Sequence, residues 1–184
     1  MEELTKETIM RASRGDMGAF EAIYRNSSGF VYNVALRMSG SYDAAAEITQ
    51  DVFVKIHGEL KKFRHDSAFN TWLYRITVNT SLNALKKASR QAGKNVDLES
   101  LENVGPVENS LLKQVEDAAR AKELQKLLDR LPPDQKACVI LRNFEDMSYD
   151  EISRTMKTNI NTVRTWLKRA RETLVKLAAG GELQ

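Results

Sequence analysis

The sequence predicts an all-α protein built from two small helical domains joined by a flexible linker. Three observations favour this fold class. Apolar residues recur at spacings of three and four, no segment clearly alternates as a strand does, and periodicity is lost at 89–110. That last stretch is polar and contains two glycines and one proline, as linkers often do. We place the first domain at 1–90, the linker at 91–112 and the second domain at 113–184.

The first domain is predicted to be almost continuous helix with short breaks. Asp16 is suited to cap a helix, because its carboxylate can accept a hydrogen bond from a backbone N–H of the first turn. The polar stretches "NSSG" at 26–29 and "SGSYD" at 39–43 are predicted to interrupt the helices. A third helix is expected over 44–58, and a fourth begins after "FRHDSAFN" and ends near residue 90.

The second domain begins with a helix that "LPP" at 131–133 ends, because proline cannot continue a helix interior. Ser148 and Glu151 then form the sequence of a capping box, a reciprocal pair of hydrogen bonds at a helix start. Three further helices are predicted over 134–144, 149–156 and 160–177. The last two are close together in the chain and joined by a polar turn, which is the outline of a helix-turn-helix.

Composition excludes several classes of protein and site. The chain lacks a long apolar run and its N-terminus is interrupted by charges, so we expect neither a membrane span nor a leader peptide, and we expect a cytoplasmic protein. Cys138 lies in the apolar run "ACVIL" and is expected in the core. The histidines, His57 and His65, lack metal-ligand spacing. We find no catalytic motif and expect no metal and no cofactor.

Charge is unevenly distributed along the chain. Residues 61–90 carry a net charge of +6 and residues 135–184 carry +3, whereas 1–60 and 91–134 each carry −3. A basic block is commonly only a solvated surface. Two basic blocks, each containing a candidate recognition helix, favour contact with a polyanion at two separate places.

The last predicted helix has one apolar stripe and one polar face. In a helix-turn-helix the N-terminal part of this second helix meets base edges in the major groove of DNA. The candidate duplex contacts are Asn161, Thr162, Arg164, Thr165, Lys168 and Arg169. Trp166 is expected at the edge of the core, and Lys157 stands where a glycine would ease the turn. An ordinary helical hairpin with a solvated basic face remains the alternative.

The block 63–87 places aromatic residues among cations and amides. Arg75, Asn79, Asn83 and Lys86 form one polar stripe on a helix, next to an apolar stripe. The preceding loop, 63–70, has the aromatic and small polar residues that can hold an unstacked base. The alternative places the aromatic residues in the core. For Phe69 and Trp72 both interpretations stay open.

Several ordered motifs resemble the sigma factors of bacterial RNA polymerase, and most closely the extracytoplasmic-function (ECF) group. The motifs are "ITQDVFVKI", "DSAFNTWLYRITVNT", and "MSYDEISRTM" followed by "NTVRTWLKRARETL". The resemblance covers about 5–90 and 113–178. It implies a promoter-specific transcription initiation factor without enzymatic activity. The partners it implies are core polymerase through its β′ clamp, promoter DNA and an anti-sigma factor.

The resemblance also implies roles for particular residues. Glu47, Gln50 and Asp51 would form the face that docks on the polymerase clamp, and Ala46 replaces a usual acid there. The second helix of the helix-turn-helix would read the minus-35 element as a duplex. The loop 63–71 and the helix after it would melt and read the minus-10 element. The residues concerned there are Arg64, Ser67, Phe69, Asn70, Trp72, Arg75, Asn79, Asn83 and Lys86.

Three other interpretations account for fewer of these features. A sigma-like mimic that only sequesters an anti-sigma factor would have no reason to retain both cationic stripes. A helix-turn-helix regulator with an unrelated first domain would not require the 63–87 block. A purely structural helical protein leaves the alternation of charge unexplained.

Overall fold

The computed structural model describes residues 4–63, 69–92 and 111–179, and all the regular elements in these ranges are helices. The predicted all-α class is therefore confirmed. Most of the predicted linker, 93–110, lies outside the described residues. The helices are α1 (Lys6–Ser13), α2 (Met17–Ser39), α3 (Tyr42–Glu59), a 3₁₀ turn (Leu60–Lys62), α4 (Phe69–Ala92), α5 (Leu111–Asp129), α6 (Pro133–Asn143), α7 (Tyr149–Met156) and α8 (Ile160–Ala179).

Side-chain caps fix the starts of the N-terminal helices. The predicted cap Asp16 is confirmed, because its Oδ1 accepts a hydrogen bond from the Ala19 N–H at 3.0 Å. That bond and the neighbouring Arg11 lower the pKa of Asp16. Ser41 caps α3 in the same way, after Gly40 ends α2 with a φ of 73°. The left-handed conformation at Gly40 explains why the predicted break at 39–43 is present.

The predicted break at 26–29 is wrong, since α2 continues through it. Ser27 is fully buried, and Ile23 and Val31 lie one turn before and after it on the same buried face. Packing of this face holds the helix together across residues that have weak helix propensity. Gly29, which is exposed, costs about 1 kcal/mol relative to alanine, too little to end a packed helix.

The N-terminal group, α1–α4, encloses one apolar cluster. Its centre includes Ile23, Val52, Ile56 and Leu73, all of which are fully buried. Helix α3, which was predicted over 44–58, contributes Val52 and Ile56. A hydrogen bond from Lys55 Nζ to Thr80 Oγ1, 3.0 Å long, also joins α3 to α4. The polar face of α3 is thereby turned outward.

The C-terminal group, α5–α8, packs against the N-terminal group instead of standing apart. Ile140, Ile152 and Val163 lie in one buried cluster that also contains Val34 of α2 and Val78 of α4. Cys138 is fully buried in this cluster, as expected, and burial raises the pKa of its thiol to about 12. The sequence left the relative position of the two halves open.

Candidate nucleic-acid interface

The first helix of the helix-turn-helix, α7, starts with the predicted capping box. The Glu151 N–H donates to Ser148 Oγ at 3.3 Å, and Glu151 Oε2 accepts from the Ser148 N–H at 2.8 Å. Hydrogen bonds from the Ser148 hydroxyl and its backbone N–H lower the pKa of Glu151. Met147 and Ile152, on either side of the box, are both buried. The entry of the chain into α7 is thus fixed by polar and apolar contacts together.

The turn between α7 and α8 requires a left-handed residue, and Lys157 supplies it with a φ of 51°. Non-glycine residues pay roughly 1–2 kcal/mol for this conformation. Two hydrogen bonds hold the turn: Thr158 N–H donates to the Ser153 carbonyl at 3.0 Å, and Ser153 Oγ donates to the Thr158 carbonyl at 2.7 Å. Asn159 then caps α8, accepting from the Asn161 N–H at 2.8 Å.

Helix α8 separates an inner apolar stripe from an outer polar face. Val163 and Ala170 are fully buried, and Trp166 is half-buried at the edge of the core, as predicted. The exposed candidate duplex contacts are Asn161, Arg164, Thr165, Lys168 and Arg169, whereas Thr162 is half-buried. The outer face of α8 is therefore open to solvent over about two turns.

Contacts within α8 position part of this outer face. Arg164 Nη1 donates to Asn161 Oδ1 at 3.1 Å, and Thr165 Oγ1 donates to the Asn161 carbonyl at 2.8 Å. Arg164 and Asn161 thus present a guanidinium and an amide side by side. Both groups can form paired hydrogen bonds with base edges in the major groove.

The polar stripe of α4 is less accessible. Arg75 and Asn79 are half-buried, while Asn83 and Lys86 are exposed. The neighbouring apolar stripe, which includes the buried Val78 and Leu82, contributes to the cluster shared with the C-terminal group. The four polar residues share a face as predicted, but only its C-terminal half is open.

The aromatic residues before and at the start of α4 lie in the core. Phe69 and Trp72 are 8% and 6% exposed, and their ring centroids are 5.6 Å apart. Phe63 packs on both, with centroid distances of 5.7 Å and 5.1 Å. In this conformation both side chains therefore support the core, and Asn70 beside them is half-buried. Arg64 and Ser67 lie outside the described residues.

The outer face of α3 carries the candidate polymerase contacts. Glu47, Gln50 and Asp51 are all exposed, opposite the buried Ile48 and Val52. Sequence reasoning missed one further residue of this face. Val54 is 72% exposed and follows Glu47 by seven residues, or about two turns. Its spacing from Gln50 and Asp51, four and three residues, could have identified it.

Two classes of site have no candidate in the part of the chain that the structure describes. There, no group of three or more His, Cys, Asp or Glu side chains could hold a metal ion. None of the described helices is both long and apolar enough to cross a membrane.

Comparison with known proteins identifies the two halves separately. Residues 23–91 match the family model for Sigma-70 region 2, and residues 121–174 match the model for Sigma-70, region 4. The chain is 31% identical over 183 residues to the RNA polymerase sigma-H factor of Pseudomonas aeruginosa, covering 95% of this chain and 94% of that protein. It is 33% identical over 181 residues to the ECF RNA polymerase sigma-E factor of Escherichia coli, covering 94% of each.

Solved structures share the fold at lower sequence identity. The sigma factor RpoE in complex with the anti-sigma factor NepR, from Bartonella quintana, has a TM-score of 0.69 at 22% identity, covering 89% of this chain and 98% of that one. CnrH in complex with the cytosolic domain of CnrY has a TM-score of 0.67 at 19% identity, covering 95% and 97%.

Proposed function

We propose that this chain, which belongs to the extracytoplasmic-function group of the sigma-70 family of RNA polymerase sigma factors, recognises a promoter at two separate points. It acts in promoter-specific transcription initiation and is not an enzyme. In the proposed division of labour, residues 1–90 bind core polymerase and melt the minus-10 element. Residues 113–184 read the minus-35 element, and 91–112 connect the two domains.

The exposed outer face of α8 is the observation that carries this proposal. It is the second helix of a capped helix-turn-helix, and its N-terminal half presents Asn161, Arg164 and Thr165 to solvent. We assign these residues, with Lys168, to base edges of the minus-35 duplex. Arg169, farther along the helix, and Thr162, which is half-buried, are assigned to the sugar-phosphate backbone.

The stripe of α4 is assigned to the minus-10 element. Asn79 and Asn83 have amides that can pair with base edges, and Arg75 and Lys86 can hold phosphates. The half-buried positions of Arg75 and Asn79 suit contact with an opened strand, which is thinner than a duplex. Phe69 and Trp72 are assigned a supporting role beneath a captured base, because both rings are packed in the core.

The outer face of α3 is assigned to core polymerase. Glu47 and Asp51 supply negative charge, Gln50 supplies an amide, and Val54 supplies an apolar side chain that is 72% exposed. An exposed apolar residue framed by polar ones is typical of an interface centre. An anti-sigma factor is the further partner that we propose. The Bartonella quintana neighbour was solved with such a partner.

In vitro transcription with purified core polymerase tests the proposal. Adding the chain should produce promoter-specific run-off products from a library of candidate promoters, and omitting it should produce none. Binding to core polymerase without any specific initiation would favour the sequestering mimic. Glu47→Lys with Asp51→Lys should abolish core binding in a pull-down assay. Glu21→Lys, on the exposed surface of α2, is the matched charge reversal that should bind normally.

A further inference from the structure

Hydrogen bonds within the first turns of α8 decide which donors and acceptors remain for DNA. Asn161 is followed at three and four residues by Arg164 and Thr165, so the three side chains lie on one face of the helix. All three are exposed, and the face begins one residue after the start of α8 at Ile160. This end of the second helix is the part of a helix-turn-helix that enters the major groove. Bonds made within the face therefore limit what each side chain offers to a base edge.

The hydroxyl hydrogen of Thr165 is already used inside the helix. Its Oγ1 donates to the Asn161 carbonyl at 2.8 Å. A threonine hydroxyl has one hydrogen, so what remains for DNA is an acceptor oxygen and a methyl group. Donors to a base edge must therefore come from the other two residues of the face, Asn161 and Arg164.

The amide of Asn161 is oriented by Arg164. Arg164 Nη1 donates to Asn161 Oδ1 at 3.1 Å. Since a guanidinium carries only donors, the amide has to present its oxygen to it, which leaves the amide NH₂ group, another donor, for DNA. The backbone that carries this amide is also fixed, because the Asn161 N–H donates to Asn159 Oδ1 at 2.8 Å.

The guanidinium of Arg164 keeps its charge and its pairing geometry in this arrangement. Its partner is a neutral amide, whereas Lys168 Nζ lies 3.9 Å from the carboxylate oxygen Oε1 of Glu172. The N–H groups that Arg164 does not use include Nε–H and an Nη2–H, a parallel pair suited to bidentate recognition. Holding the long side chain in place also reduces the rotamer freedom that it would lose on binding.

Asn161 and Arg164 together thus present donors to a base edge. In the major groove guanine offers two acceptors, O6 and N7, whereas adenine offers the acceptor N7 and the amino donor N6. An asparagine that reads adenine accepts from N6 through its oxygen and donates to N7 through its NH₂ group. Here the oxygen of Asn161 is bonded to Arg164, and the amino group of an adenine would meet the adjacent cation. The arrangement therefore favours guanine.

We propose that Asn161 is a positioning residue for Arg164: it holds the guanidinium so that Arg164 donates to O6 and N7 of one guanine in the duplex, and it does not read an adenine of its own. This inference rests on the proposed role of α8 in reading the minus-35 duplex. It assigns different tasks to two residues that the sequence treats alike. Removing either side chain should then change the preference at the same base pair.

Sequence selection by the full-length chain in complex with core polymerase tests the proposal. The probe is a pool of duplexes randomised over the upstream promoter region, and sequencing of the bound fraction gives the preference at each base pair. The wild type should select guanine at a position that Arg164→Ala leaves random. Asn161→Ala should lower the guanine preference at that same position by roughly twofold to tenfold, the value of one hydrogen bond. Preferences at the other positions should be unchanged.

Two control variants separate base preference from overall affinity. Asn161→Asp keeps an acceptor oxygen beside Arg164, so the guanine preference should be retained, while the added negative charge lowers the affinity for all sequences alike. Arg169→Ala removes a cation assigned to the sugar-phosphate backbone and should also weaken binding uniformly, with no change in preference. Circular dichroism should show wild-type helicity for every variant, because the substituted side chains are exposed.

The double variant Asn161→Ala with Arg164→Ala measures whether one residue acts through the other. In fluorescence anisotropy with the selected duplex, its Kd should be no weaker than that of Arg164→Ala alone, because the effects of residues in one hydrogen-bonded unit do not add. Additive losses would make Asn161 an independent reader and overturn the proposal. A changed preference at a different base pair in Asn161→Ala would have the same meaning.

The remaining outcomes distinguish this inference from the proposed function. Selection by the wild type with an unchanged preference in Asn161→Ala, or with a base other than guanine at the position that Arg164→Ala affects, would refute the inference alone. If the wild-type complex selected no upstream sequence at all, the proposed function would fail and the inference with it.

Discussion

Helices α8 and α4 each carry a stripe of amide and cationic side chains, and the two stripes differ in their surroundings. The stripe of α8 is solvent-exposed, and the inner side of α8 packs mainly on α6 and α7. The stripe of α4 borders a face that packs against the other group, and two of its residues, Arg75 and Asn79, are half-buried. The outer face of α8 is therefore open to an intact duplex as it stands, whereas the N-terminal half of the α4 stripe is partly covered.

Substitution of Arg164 should give the largest effect on the α8 side of this comparison. Arg164→Ala removes an exposed guanidinium that is held beside Asn161, and should weaken binding to a minus-35 duplex by about 1–3 kcal/mol, or roughly fivefold to 150-fold in Kd. The duplex is first selected from a random library by the complex of this chain with core polymerase. Fluorescence anisotropy then measures the Kd of each variant for that duplex. Lys168→Ala should act in the same direction. Arg25→Ala, on α2, should leave the affinity unchanged, and equal loss of core polymerase binding in Arg164→Ala would contradict the division between the domains.

Asn79 belongs to the polar stripe of α4. Asn79→Ala should slow promoter opening on duplex templates by roughly tenfold, since a lost hydrogen bond to a captured base is worth about 1–1.5 kcal/mol. Initiation from a pre-melted template should be much less affected if the loss acts at melting. Run-off transcription on both templates gives the ratio of the variant's initiation rate to that of the wild type for each template. The matched control is Asn33→Ala, which removes an exposed asparagine on α2. Equal rates for wild type and Asn79→Ala on duplex templates would remove this residue from the site.

Ser148 caps α7 and Ser41 caps α3, so the contributions of the two caps to stability can be compared. Ser148→Ala removes the capping box of α7 and should lower the free energy of unfolding by about 1 kcal/mol. Ser41 caps α3 through a single longer bond, 3.4 Å from its Oγ to the Ala44 nitrogen. Ser41→Ala should therefore cost less, about 0.5 kcal/mol, at the low end of measured cap losses. Urea unfolding of both variants measures the difference, and a smaller loss for Ser148→Ala would contradict the ranking.

Local signals account for the parts of this molecule that the sequence predicted well. Asp16 and Ser148 mark helix starts because a cap needs only a side-chain oxygen a few residues from its donor. The stripe of α8 follows from helix periodicity alone. The features missed depend on packing between segments far apart in the chain. Ser27 looks like part of a turn until its burial is known.

The contact between the two halves was equally hidden in the sequence. In the sequence, Lys136 and Glu145 look like ordinary surface charges. Nothing near them in the chain indicates that Lys136 contacts α2 and that Glu145 contacts α4. The placement of Trp72 likewise depends on Phe63, which lies across a loop. Sequence periodicity therefore located both candidate DNA-binding stripes, but only the tertiary structure distinguishes the open stripe from the restricted one.

The smallest expected effects come from two glutamates whose pKa values shift in opposite directions. Burial raises the pKa of Glu145 above 4.5, opposed by Tyr74 and Arg37 and assisted by Asp146. The folded state therefore holds this proton more tightly, and the stability contributed is present in acid and is lost as pH rises through the raised pKa.

The pKa of Glu151 shifts in the opposite direction. Its pKa is lowered by the hydrogen bonds from Ser148, so its contribution is present above 4.5 and is lost as pH falls through the lowered pKa. Carboxylates titrate between about pH 3 and pH 7. Urea unfolding over this range should distinguish the contribution of Glu145 to stability from that of Glu151. Over this range, rising pH should reduce the stability of the wild type relative to Glu145→Gln and increase it relative to Glu151→Gln. If the stability difference between the wild type and Glu145→Gln did not change with pH, Glu145 would be solvated, and its contacts with Tyr74 and Arg37 would be open in solution.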